Sequence, residues 1–287
     1  MSTAVAQARR IARDVTRRHD ENFPVAFLLL PRDLRADMRA VYTFCRTVDD
    51  LGDTGPAAER PAALDRFERD LHRCWDGHPD DPRLVALAAT VRRHAMDPEP
   101  FLRLLDANRM DQLQNRWATY EQLLDYCRHS AAPVGQMVLA VLGHRDATRI
   151  ALSDHTCIGL QLVNFWQDIA RDLADNDRIY LPAEDMARFG VHEDALRGGA
   201  ADEATRTLIA FEVARARAEL IAGAPLAGLV RRRARLDLRV FTGGGLALCD
   251  AIGRHGYDTL AHRPAPGAAG RARIAADVLF GVLRGSR

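Results

Sequence analysis

Two short runs of acidic residues offer the chemistry of this chain. In the first, Tyr42 to Asp53 reads YTFCRTVDDLGD, with Tyr42, Arg46, Asp49 and Asp53 spaced four, three and four residues apart. In the second, Gln161 to Asp172 reads QLVNFWQDIARD, with Gln161, Asn164, Asp168 and Asp172 spaced three, four and four apart. At about 3.6 residues per turn, each set falls on one face of a helix. A pair of carboxylates one turn apart, with amides on the same stripe, supplies the oxygen donors that a hard divalent cation prefers. The plain alternative is a solvated helix face. Apolar neighbours argue against it: Val41, Phe44, Val48 and Leu51 flank the first stripe, and Leu160, Leu162, Val163, Phe165, Trp166 and Ile169 the second. Two such seams could face each other across a helical bundle, as in metal-binding bundles.

The elements that would carry these stripes are nearly all helical. Pro and Gly punctuation divides the chain into helices near residues 3–19, 32–52, 60–76, 82–95 and 99–116. Further helices follow from 119 to 142, interrupted near Pro133 and Gly135, then at 146–172, 183–187, 202–222, 226–255 and 268–284. No alternating strand pattern, repeat period or low-complexity linker occurs, so residues 1–287 are expected to form one all-α domain.

Composition narrows the function. A hydrophobic fraction of 47% is enough for a sizeable core, and a formal charge of +1 gives no overall field to attract nucleic acid or an anionic membrane. Every basic residue is Arg, since the chain contains no Lys. That removes a Walker-type phosphate loop and any Schiff-base mechanism. Anionic oxygens would have to be held by Arg, amides or metal. The five cysteines are odd in number and form no C-x-x-C pair, which fits a reducing cytoplasm. The charged amino terminus does not resemble a secretory signal, and no apolar run approaches the length of about 20 residues needed to span a bilayer. Arg178 and Tyr180 directly follow the second stripe and could reach anionic oxygens held there. A surface ion pair is the equal alternative for Arg178. Tyr126 could turn its ring toward positive charge, and His19 is a further candidate phosphate contact. The run Arg231-Arg232-Arg233 reads as a solvated face or a peripheral membrane contact.

Three motifs in order carry a family resemblance: CRTVDDLGD, YCRHSAAPVG, and QLVNFWQDIARDLADNDRIYLP. Across about His19 to Pro264 the chain resembles the squalene and phytoene synthases, the head-to-head class of trans-isoprenyl diphosphate synthases. The resemblance implies a helical bundle around a central apolar cavity. It implies that Asp49, Asp53, Asp168 and Asp172 bind Mg²⁺ (or Mn²⁺) with help from Asn164 and Gln161. It further implies that Arg46 and Arg178 contact a diphosphate, that Tyr42 and Tyr126 line the cavity, that Gln167 is among the substrate contacts, and, as a weaker match, that Arg263 joins them. NFWQD, SAAPVG and ENFPVAFLLLP resemble the bacterial branch that converts presqualene diphosphate to hydroxysqualene. Relatives that condense two prenyl diphosphates typically carry Arg where this chain has Gln167, and a Tyr where it has Gly243-Gly244-Gly245; Asn22 and Pro24 also depart from them. The expected activity is therefore hydroxysqualene formation from a prenyl diphosphate, without NADPH. It would be coupled to a presqualene diphosphate synthase upstream and a hydroxysqualene reductase downstream, in the cytoplasm or at the inner membrane face. The alternatives are squalene, presqualene diphosphate or phytoene synthesis, and a non-catalytic prenyl-lipid-binding subunit.

Overall fold

A computed structural model of the chain describes residues 30–267. His19, Asn22, Pro24 and the helices expected at 3–19 and 268–284 lie outside the described residues. Among those described, every regular element is a helix, and the single bridge, Arg116 to Ile179, is isolated. The all-α expectation is met. The chain divides into two compact units, Met1–Leu113 with Pro133–Ile150 and Gln114–Ala132 with Ala151–Arg287.

The first unit is built on α1 (Arg32–Asp53), α2 (Arg60–Asp76), α3 (Pro82–Arg93) and α4 (Glu99–Leu113). Met38, Val41, Phe44 and Val48 recur at helical spacing on α1 and are all buried. Phe44 meets Phe101 of α4 edge-on at 5.1 Å and Phe67 of α2 at 6.1 Å. Asp37, only 2% exposed, locks α1 to α3 by accepting from Arg93 at 2.9 Å and Thr90 at 3.1 Å, with His94 Nε2 at 2.9 Å. α2 stops at Gly77, whose φ of 86° is the left-handed conformation glycine tolerates best. The far end of α1 is fixed just as closely. A Cβ on Gly52 would sit 2.1 Å from Asn108 Oδ1, and Gln112 Nε2 donates to the Gly52 carbonyl at 2.9 Å. Gly52 thus allows α4 to approach between Asp49 and Asp53.

The second unit contains α5 (Tyr120–Ser130), most of α7 (Ala147–Gln167), α8 (Ile169–Asn176), α9 (Ala183–Phe189), α10 (Glu193–Leu196), α11 (Glu203–Gly223), α12 (Leu226–Leu229) and α13 (Arg232–Arg254). The intervening helix α6 (Ala132–Val141) belongs to the first unit from Pro133 onward. α7 and α11 touch backbone to backbone: a Cβ on Gly159 would lie 2.9 Å from Leu220 N and 3.0 Å from Ala216 O. α13 brings Gly245 against Leu160 and Leu220.

Three expected elements are corrected. The helix at 146–172 breaks at Asp168, which adopts φ −108° and ψ 16°. The kink falls where Gln167 and Asp168 are both tied to residues 263–264, so a tertiary tether deflects a pattern that is continuous in sequence. The helix at 226–255 breaks at Val230, which is extended at φ −109° and ψ 163°, and a new helix starts at Arg232. The interruption expected near Pro133 falls at Ala131, and Pro133 itself sits in the first turn of α6, where its missing N–H costs nothing.

Candidate active site

The second acidic motif lies in the second unit and is the more fully built of the two. Asp168 and Asp172 lie one turn apart across the kink, joined by Asp172 N–H donating to the Asp168 carbonyl at 2.8 Å. Arg263 grips the Asp168 carboxylate with both arms of its guanidinium, at 2.5 and 2.9 Å. That fork geometry is the one in which Arg binds any planar or tetrahedral oxyanion. Gln167 is buried and donates its amide to the Pro264 carbonyl at 2.5 Å, fixing the segment that presents Arg263. Asp172 is half-buried. Burial first, and the neighbouring Asp168 charge second, push its carboxyl up to about 7, against the pull of Arg171 and Arg178. Two carboxylates that repel each other in a partly dry site need added positive charge to ionise together.

Arg178 is buried and follows Asp177, which holds the left-handed conformation at φ 50°. That strained residue is clamped. Its carboxylate accepts from Arg116, Arg197 and Asn115, each at 3.1 Å, and Arg116 also donates to its carbonyl. Glu193 holds Arg116 in turn by two bonds of 2.8 and 2.9 Å. The Arg116 and Arg197 guanidiniums keep the Asp177 carboxyl below the usual range. Beyond it, Arg178 N–H donates to the Asp172 carbonyl at 3.1 Å, and Ile179 N–H to Asn115 O at 3.0 Å. The clamp therefore sets the backbone from which Arg178 projects beside Asp172. Sequence reasoning missed all four partners, because Arg116 lies 61 residues from Asp177. The one local signal was a non-glycine turn residue directly before an arginine.

Behind these charges stands an aromatic layer. Phe165 and Tyr180 stack at 3.6 Å, and Tyr126 packs 5.1 Å from Trp117 and 5.9 Å from Tyr180, with all four rings buried. Tyr126 thus stands in an aromatic wall. Asn164 is exposed and Gln161 half-buried on α7.

The first acidic motif occupies the last three turns of α1. Asp49 is half-buried and Asp53 exposed, while Tyr42 is buried deeper along the helix. Arg46 pairs with Asp50 at 3.1 Å. No basic residue stands in the last turn of α1, so Asp50 and Asp53 gather at the negative end of its dipole. An added cation would relieve that arrangement. Among the described residues no three His, Cys, Asp or Glu side chains cluster as a ready-made metal cage. Each motif carries instead a pair of carboxylates, oxygen donors of the kind Mg²⁺ takes together with a phosphate, and in the second pair both Asp168 oxygens are held by Arg263.

Paired aspartates, a forked arginine and an aromatic wall thus stand together on the helices of the second unit. The chain belongs to the squalene/phytoene synthase family, whose model matches residues 16–271. It is therefore an isoprenoid enzyme of the prenyltransferase type. The 15-cis-phytoene synthase of Synechococcus elongatus is 36% identical over 227 residues, covering 75% of this chain and 73% of that one. The hydroxysqualene synthase of Sinorhizobium fredii is 35% identical over 204 residues, covering 70% and 68%. Among solved structures, that of squalene synthase HpnC from Alicyclobacillus acidocaldarius matches with a TM-score of 0.84 and 44% identity, over 90% of this chain and 97% of that one. Enzymes of this family generally depend on a divalent metal.

Proposed function

We propose that the enzyme ionises presqualene diphosphate, rearranges the resulting cation and captures it with water as hydroxysqualene. Gln167 carries this reading. Relatives that join two prenyl diphosphates typically place an arginine there; this chain has a neutral amide committed to the Pro264 carbonyl. One cation fewer suits a substrate with one diphosphate rather than two. Kinship at 35% identity with a hydroxysqualene synthase supports the same choice.

In this reading Asp49 and Asp53, and Asp168 and Asp172 with Asn164, would hold Mg²⁺ or Mn²⁺, which would supply positive charge against the departing diphosphate. Arg178, Arg46 and Arg263 take its remaining oxygens, with Gln161 and His19 as further contacts. The carbon–oxygen bond breaks with its electron pair going to diphosphate. The cyclopropylcarbinyl cation opens to the 1′–1-linked skeleton while Tyr126, Phe165 and Tyr180 face it with aromatic surface. Tyr42 adds to the lining, and the apolar walls limit access of water. One water then adds and loses a proton. No hydride is transferred, so no NADPH is required.

The competing reading is condensation of two prenyl diphosphates, favoured by 36% identity with a phytoene synthase. Incubating the protein and Mg²⁺ separately with presqualene diphosphate and with farnesyl diphosphate decides between them. Hydroxysqualene from the first alone supports the proposal; presqualene diphosphate formed from the second overturns it.

A further inference from the structure

The corner between α11 and α13 does not look like the rest of the surface. From Leu220 to Leu236 the chain has no acidic residue and four arginines, Arg231, Arg232, Arg233 and Arg235, although acids and bases are balanced overall at 39 and 40. Large exposed hydrophobic side chains are few among the described residues: Leu113, Ile221 and Leu229. Two of the three fall at this corner, with Ile221 58% and Leu229 42% exposed. Ala222, Ala224, Pro225 and Gly228 between them are exposed as well, and Arg231 beside them is exposed. The arginine run also opens α13, with Arg231 as its N-cap, no capping side chain and no acidic residue in the first turn. Cations at the positive end of a helix raise its energy.

We propose that this corner, centred on Ile221, Leu229 and Arg231, docks the enzyme on an anionic bilayer surface. The chemistry is complementary on both counts: apolar side chains enter the boundary below the headgroups, and arginines meet the lipid phosphates. A lipid phosphate at the start of α13 would also reverse the unfavourable charge on its dipole. No described helix is long and apolar enough to cross a membrane, so attachment here is superficial. The docking argument stands on the surface alone; its use in delivering a C30 hydrocarbon substrate rests on the function proposed above.

Flotation of the full chain with phosphatidylglycerol–phosphatidylcholine vesicles tests this. The wild type should float with anionic vesicles at low salt and much less in high salt. Each arginine near the surface contributes about fivefold in partitioning, so R231Q/R232Q/R233Q should bind roughly a hundredfold more weakly. I221S/L229S should lose roughly tenfold. Both variants should turn over detergent-dispersed substrate like the wild type. Turnover tests the function and flotation tests the surface, so the two can fail separately. Wild-type protein that stays unbound, that binds phosphatidylcholine alone equally well, or whose variants float unchanged would overturn the proposal, and so would binding only in the presence of a second protein.

Discussion

Asp237 on α13 is 4% exposed, no donor reaches its Oδ2 among the described residues, and burial alone pushes its carboxyl up to about 7 from 3.8. The unfolded chain therefore ionises this group well before the folded chain does. Below the unfolded value the two states hold the proton alike and stability is unaffected. As pH rises from there to about 7, stability falls by about 1.4 kcal/mol per unit, because the folded state keeps a proton that the unfolded state releases. Above about pH 7 both states are ionised and the loss levels off near 4 kcal/mol. Replacing Asp237 with Asn keeps the shape and removes the titration. Urea unfolding of wild type and D237N at about pH 5 and about pH 8.5 gives the comparison. The variant should be the more stable at both, and its advantage should be larger by about 3 kcal/mol at the higher pH. Contributions from other groups cancel in this double difference. An advantage independent of pH, or a variant less stable than the wild type at high pH, would show that Asp237 is not an unpaired buried acid.

The glycines of the second unit make a paired prediction. Gly159→Ala places a methyl against Leu220 N and Ala216 O, backbone atoms that cannot yield, and should cost about 2 kcal/mol by urea unfolding despite a better helix propensity. Gly244→Ala meets nothing within 4 Å and should stabilise by about 1 kcal/mol. Arg116→Met should lower kcat/KM for diphosphate release about a hundredfold by loosening the backbone that carries Arg178, with thermal stability little changed; R116K should recover only part, since Lys lacks the fork that spans Asp177 and Glu193. Asp168→Asn should reduce diphosphate release by at least about a hundredfold while circular dichroism stays that of the wild type. A D168N enzyme that releases diphosphate normally would remove Asp168 from the site.

Much of this architecture was legible because local punctuation and tertiary packing agree. The helix expected at 60–76 is Arg60–Asp76, bounded by Pro61 and Gly77, and the one at 32–52 is Arg32–Asp53. Both acidic stripes announced themselves through spacing. The kink at Asp168 did not, since it is set by Gln167 and Asp168 binding residues 95 or more positions away. Gln167 was expected among the substrate contacts from its place in the motif; its amide is placed on Pro264, where it supports Arg263. The Arg116 clamp was invisible for the same reason: long-range polar partners leave no period in a sequence. Arg263, a weak match in sequence, emerges as the most direct partner of Asp168.

Water capture is the step that separates the proposed reaction from its relatives, and isotope labelling reads it directly. A single turnover of presqualene diphosphate with Mg²⁺ in heavy-oxygen water should yield hydroxysqualene carrying solvent oxygen, with one diphosphate released per alcohol formed. An unlabelled alcohol, or a hydrocarbon product in its place, would contradict the account.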